Sequence, residues 1–157
     1  MNPEFLVGVI SDTHGLLRPQ AVEALAGSQL VIHAGDVGSP EILSSLSQLA
    51  RVEAVRGNVD TEAWAQSLPE TAAVEVQGHS LYILHDLKRL DLDPRAAAFA
   101  VVISGHTHAA ANEMRNGVLY FNPGSAGPRR FRLPVSVGKL WLSAAGIRGE
   151  IVLLELD

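Results

Sequence analysis

Three apolar runs of strand length open the chain, and each ends in a polar, glycine-containing loop. They are "FLVGVIS" (5–11), "QLVIHAGD" (29–36) and "VEAVRGN" (52–58), and they read as buried strands. Two stretches of different character separate them. "RPQAVEALAG" (18–27) has Pro19 near its start, helix formers inside and Gly27 at its end, so it predicts a helix. "SPEILSSLSQLA" (39–50) predicts a second, with Ser39 as N-cap and Pro40 at the first helical position. Its Ile42, Leu43, Leu46 and Leu49 fall on one helical face. Strand alternating with helix implies right-handed crossovers and a parallel sheet.

The pattern then changes. "AAVEVQGHSLYILHD" (72–86) predicts a hairpin turning at Gly78. "DPRAAAFAVVISGH" (93–106) reads as a short helix followed by a strand. Asn116-Gly117 sits between two strand-like runs in 111–125, a strong hairpin signal. Residues 136–156 read as two more strands around Gly146 and Gly149. The first half is therefore α/β and the second mostly antiparallel. Two sheets packed face to face, with helices outside, would bury both sets of apolar faces. The length of 157 residues suits one domain over 1–157, with no repeat, low-complexity tract or linker.

Composition narrows the function. Hydrophobic residues at 47% and charged residues at 18% exclude a disordered chain. The apolar runs are far short of a membrane span, so no membrane partner is expected. The N-terminus carries neither a basic region nor a small-residue cleavage site, which makes the cytoplasm the default location. A net charge of −5 disfavours bulk nucleic-acid binding but leaves room for a local cationic site. With no cysteine, thiolate metal sites, iron–sulfur clusters and cysteine nucleophiles are excluded.

The chemistry lies at the strand ends. Five times an apolar run is followed by a potential ligand: Asp12 and His14, Asp36, Asn58, His85, then His106 and His108. In α/β sheets binding sites collect beyond the carboxyl ends of strands, so these scattered residues can converge. An Asp-x-His alone is common, and a lone strand-end Asp usually caps a turn; five ligand-bearing ends in succession are a different observation. Four imidazoles, two carboxylates and an amide oxygen suit divalent ions. Seven ligands exceed the needs of one open catalytic metal and suit two metals sharing a carboxylate. Gly15, Gly35, Gly57 and Gly105 recur beside them, allowing tight turns and close backbone approach.

In their order, "DTH", "GD", "GN", the lone His85 and "GHTH" resemble the calcineurin-like metallophosphoesterases, and "NPGSAGPR" (122–129) resembles the small YfcE-like phosphodiesterase branch. The resemblance implies a four-layer αββα sandwich, two mixed β-sheets flanked by helices, around a dinuclear metal centre. It implies that Asp12, His14 and His108 hold the first metal, that Asn58, His85 and His106 hold the second, and that Asp36 bridges them. Asp36, Asn58 and His85 are then the catalytic candidates, with Mn²⁺ foremost and Fe, Ni²⁺ or Zn²⁺ as other metals. Two cations about 3.5–4 Å apart can clamp a phosphoryl group and lower the pKa of a bridging water, whose hydroxide attacks phosphorus. The implied function is hydrolysis of a small-molecule phosphodiester. The other readings are a non-catalytic scaffold like the retromer subunit of this fold, and a phosphomonoesterase or protein phosphatase. Homo-oligomerisation is left open.

Two departures from the family pattern stand out. Val59 follows Gly57-Asn58 where many relatives carry a leaving-group histidine. A general acid contributes about 10²–10⁴-fold, so its absence implies slow turnover or a preference for a good leaving group. Asp86 follows His85 where glycine is common; it either orients His85 or faces solvent, and solvent is favoured. Arg56 either binds substrate phosphate or pairs with Asp60. His33 either lines the substrate site or is a buried strand histidine bonded to backbone. Arg129 and Arg130 grip substrate or are solvated, His79 reads as solvated, Thr107 as a packing residue, and Trp64 and Leu68 as core-facing.

Overall fold

The computed structural model describes residues 3–156. A β-α-β-α-β run comes first: β1 (Phe5–Ile10), α1 (Pro19–Leu25), β2 (Leu30–His33), α2 (Pro40–Leu46) and β3 (Arg51–Ala54). There follow β4 (Thr71–Val76), β5 (His79–Leu84), β6 (Val101–Ile103), β7 (Ala111–Arg115), β8 (Val118–Asn122), β9 (Ser136–Ser143) and β10 (Gly146–Leu153). They form two five-stranded sheets, ordered β10-β9-β1-β2-β3 and β4-β5-β6-β8-β7. Both are mixed. In the first, β1, β2 and β3 are parallel, and β9 joins β1 antiparallel with Val7 opposite Leu140. In the second, β5, β6 and β8 are parallel and only the outer pairs are antiparallel. With β9 and β10 also antiparallel, most pairings of the second half are antiparallel as expected, and β5-β6 and β6-β8 are the parallel exceptions.

Side chains alternate across each strand, and the alternation builds the layers. Val7, Val9, Leu30 and Ile32 of the first sheet meet Leu81, Ile83, Val101, Ile103 and Phe121 of the second in the central core. Ile10 and Val31 point the other way, onto Ala21 and Leu25 of α1 and Ile42 and Leu46 of α2. Trp64 and Leu68, on and just after a 3-10 helix at Ala63–Ser67, pack against that same cluster as expected.

The outer cover of the second sheet is thinner than expected. Leu87, Leu90, Leu92 and Phe99 lie over Tyr82, Leu84 and Val102, carried by a 3-10 turn at Leu87–Arg89 and by linked turns in 93–99. The helix predicted at 93 does not form. Ala97 N–H bonds Asp93 C=O at 3.0 Å and Phe99 N–H bonds Pro94 C=O at 2.8 Å, but Ala98 adopts φ +64, which ends any helical run. Among the described residues, no helix is long and apolar enough to cross a membrane.

The topology decides where the site sits. Parallel β1, β2 and β3 release their chain ends at one edge of the first sheet, and parallel β5 and β6 do so in the second. Backbone bonds tie neighbouring ends within each sheet, Asp12 N–H to Gly35 C=O at 3.0 Å in the first and Gly105 N–H to His85 C=O at 2.9 Å in the second, and Ala126 N–H to Ser11 C=O at 3.0 Å joins the end of β8 to the end of β1.

Candidate metal centre

Six of the seven expected ligands fall into two groups whose donor atoms lie within 4.8 Å of one another: Asp12, His14 and His108, and Asp36, His85 and His106. In the first, His14 Nε2 and His108 Nε2 face each other at 3.4 Å, and Asp12 Oδ1 lies 3.8 and 3.4 Å from them. In the second, His85 Nε2 lies 3.2 Å from Asp36 Oδ2. The same Asp36 oxygen is 3.7 Å from His14 Nε2, so it stands between the groups. The seventh, Asn58, places Oδ1 3.2 Å from His106 Nδ1, at the edge of the second group.

The donor chemistry fits cations. Asp12 Oδ1 and His85 Nε2 are buried and have no hydrogen-bond partner, an expensive state for polar atoms. His85 donates Nδ1–H to the Ala34 carbonyl at 2.7 Å, which turns Nε2 inward. Such an outer bond is how metal-ligating imidazoles are commonly oriented. Gly35 makes the ring's place: a Cβ there would lie 2.6 Å from His85 Nδ1.

The supporting backbone is held in an unfavourable conformation. Asp12, His14, Asp36, His106 and His108 have φ of +56, +47, +57, +72 and +65. Non-glycine residues rarely adopt this region, and such strain gathers at functional sites. β6 ends at Ile103, and His106 and His108 lie in the loop beyond it. Asp12 Oδ2 fastens that loop by accepting from His106 N–H at 3.0 Å and from Ser11 Oγ at 2.7 Å.

Two further residues hold the ligand loops together. His33 is fully buried. Its Nδ1 accepts from Gly35 N–H at 3.1 Å. Thr13 Oγ1 donates to Val37 C=O at 2.7 Å and therefore accepts from His33 Nε2–H at 3.0 Å. Both nitrogens are occupied and no face is left for substrate, which corrects the site-lining alternative. Asp60 is buried and accepts three backbone N–H groups, from Val37 at 3.1 Å, Gly38 at 3.0 Å and Gly57 at 2.9 Å. It ties the loop after β2 to the loop after β3, and nothing in the residue string singles it out.

Burial sets the titration of several groups. It pushes His33 from 6.5 down to about 3, outweighing the opposing charge of Asp60. Burial alone would raise the Asp36 carboxyl, but the His85 imidazole 3.2 Å away and the Val59 N–H bond hold it below its ordinary value. Burial would lower His85, yet the Asp36 carboxylate beside it and the charge of Asp12 hold it above the ordinary value. Burial lowers His108, and the positive charge of Arg130 acts in the same direction despite Asp12.

His33 yields a pH prediction. Between pH 6.5 and about 3 the unfolded chain protonates this residue and the folded chain does not. The unfolded state binds more protons, so stability falls as pH falls through that window. From pH 7 to pH 5 the contribution is about 2 kcal/mol. Urea unfolding at the two pH values should show the wild type losing about that much more than His33→Gln; equal losses would contradict the assignment.

The remaining candidates are placed as follows. Arg56 pairs with Glu70 at 3.2 Å and Gln66 at 3.3 Å, not with Asp60. Asp86 accepts from Lys88 N–H at 3.0 Å, and its other oxygen lies 3.8 Å from His106 Nε2, so it neither orients His85 nor simply faces solvent. Thr107 is exposed rather than packed; it donates to the Ala109 carbonyl and accepts from Asn122 Nδ2. His79 is not simply solvated, since its Nε2–H reaches the Ser143 carbonyl at 2.7 Å.

A family model described as the calcineurin-like phosphoesterase superfamily domain matches residues 5–144, and the chain belongs to that superfamily. It is 38% identical over 133 residues to a probable metallophosphoesterase of Methanocaldococcus jannaschii, covering 76% of this chain and 67% of that one. To the phosphodiesterase YfcE of Escherichia coli it is 29% identical over 160 residues, covering 83% and 84%. Among solved structures, vacuolar protein sorting 29 of Cryptosporidium parvum matches with a TM-score of 0.76 at 21% identity, over 98% of this chain and 99% of that one. That last likeness is one of fold. Membership of the superfamily makes this a phosphoesterase fold that uses divalent metal, and the two ligand groups are where the metal would sit.

Proposed function

We propose that the chain is a phosphodiesterase working with two divalent cations, Mn²⁺ foremost and Fe, Ni²⁺ or Zn²⁺ as alternatives. The observation that carries this is Asp36 Oδ2, flanked by His14 of one ligand group and His85 of the other. Asp12, His14 and His108 would hold one cation; Asn58, His85 and His106 would hold the other. When bound, the pair would supply Lewis acidity to the phosphoryl oxygens and generate a nucleophile from water near neutral pH. The protein's part is to fix the geometry. Val59 N–H anchors Asp36 Oδ1 at 3.0 Å and leaves Oδ2 directed at the histidines. The Ala34 carbonyl keeps His85 Nε2 aimed inward. Val59, 46% exposed, offers no proton to a departing alkoxide, so activated esters are the favoured substrates.

The likeness to vacuolar protein sorting 29 favours a second reading, a non-catalytic binding module, because a fold does not by itself confer an activity. The complete ligand set weighs against it. Turnover of bis(p-nitrophenyl) phosphate and of p-nitrophenyl phosphate decides among the readings. The diester should be hydrolysed faster, with activity lost in chelator and restored by Mn²⁺. Preference for the monoester would make it a phosphomonoesterase, and turnover of neither would leave the binding module.

A further inference from the structure

The loop 126–134 is attached to the backbone that follows β1. At its base, Ala126 N–H bonds the Ser11 carbonyl at 3.0 Å and Ser125 Oγ bonds the Asp12 carbonyl at 3.1 Å. Arg18 Nη2 donates to the Gly127 carbonyl at 3.1 Å. A bridge between Ser125 and Val135 closes the loop's neck. The loop is therefore fastened to the same β1 exit that presents Asp12 and His14.

Its tip has an unusual composition. Arg129, Arg130, Phe131 and Arg132 are all exposed. Phe131 is 89% exposed and has φ +54, a conformation that a bulky residue adopts only under constraint. Among the described residues the three arginines make no salt bridge, although other surface arginines such as Arg115 and Arg148 do. Arg130 is near enough to His108 for its charge to act on that ring. Of the five exposed large hydrophobic residues among those described, Leu16 and Val59 lie beside ligands His14 and Asn58, and Phe131 is on this loop. The rim thus combines unpaired guanidinium groups with a bare aromatic face.

We infer that the loop 126–134 is a substrate-recognition loop for a nucleoside phosphate ester, with the base stacked on Phe131 and phosphate oxygens held by Arg129 and Arg130. Arginine's planar fork suits phosphate oxygens, and an exposed ring is a stacking platform for any base. A chain of net charge −5 gathers three of its 12 Lys and Arg residues at this one tip, which is the local cationic site a small anion needs. The inference rests on the phosphodiesterase reading for the reaction, but its recognition step is measurable without turnover.

The test is calorimetric titration of the full chain, with Mn²⁺ present, using AMP and ribose 5-phosphate. AMP should bind at least about tenfold more tightly, the scale of one base stacked on an aromatic side chain. Phe131→Ala should bring the two affinities together, Phe131→Trp should keep them apart, and Arg130→Ala should weaken both. Phe131 packs against little, so these variants remain folded, which circular dichroism checks. Equal affinities in the wild type, or a difference that survives Phe131→Ala, would overturn the inference. A clear AMP preference without hydrolysis of any diester would support the loop's role and count against the phosphodiesterase instead.

Discussion

Asp36→Asn is expected to lower phosphodiester turnover by roughly 10²–10³-fold or more, the scale of removing a group that organises charge at a reacting centre. The substitution is nearly isosteric, so the Val59 N–H bond at 3.0 Å can persist through the amide oxygen. What changes is the atom directed at His85 and His14, 3.2 and 3.7 Å away. An NH₂ group there has no lone pair to share between two cations and repels them. Metal content per chain should fall together with activity, while the unfolding midpoint changes little. A variant with full metal content and full turnover would remove Asp36 from the bridging role.

The largest effect on stability is expected at Asp60. Asp60→Ala strands the N–H groups of Val37, Gly38 and Gly57 at once. Two of these donors, on Val37 and Gly57, are buried, and each buried, unsatisfied donor costs about 1–3 kcal/mol, so the loss is on the order of 2–6 kcal/mol. That is a large part of the stability of a typical domain. Asp60→Asn keeps one acceptor oxygen and should lie between the two. The damage should reach the site, because Asp60 joins the loop bearing Asp36 to the loop bearing Asn58. Chemical denaturation measures the first effect and Mn²⁺ affinity the second. An Asp60→Ala protein as stable as the wild type would show that these three donors find other partners.

These two aspartates differ in how far the residue string reveals them. Asp36 closes an apolar run, "LVIHAGD", in a series of such endings, and the convergence of parallel strand ends makes its role readable. Asp60 stands in a loop and looks like any turn aspartate. Its three donors come from residues 37, 38 and 57, which only the folded chain brings together. The same contrast runs through the fold. β1, β2 and β3 were legible because continuous apolar runs alternate with amphipathic ones. The placement of β9 and β10 in the first sheet was not, because the pairing of Val7 with Leu140 spans most of the chain and leaves no local trace. His33 was ambiguous because a buried imidazole is explained only by its partners, and Thr13 and Gly35 come from two different loops. The left-handed backbone at five ligands is likewise a product of tertiary constraint, since Asp and His carry no local demand for it. The helix expected at residue 93 fails for a local reason: the turns between Asp93 and Phe99 are brought to a halt by the left-handed Ala98.

The proposed phosphodiesterase depends on two cations held by these seven residues. Its most direct test is to strip the protein with chelator and add Mn²⁺ stepwise, recording bound metal and bis(p-nitrophenyl) phosphate turnover in the same samples. Turnover should stay low while the first equivalent binds and rise as the second does, reaching its limit at two per chain. Two equivalents bound without turnover, or turnover that ignores metal altogether, would contradict it.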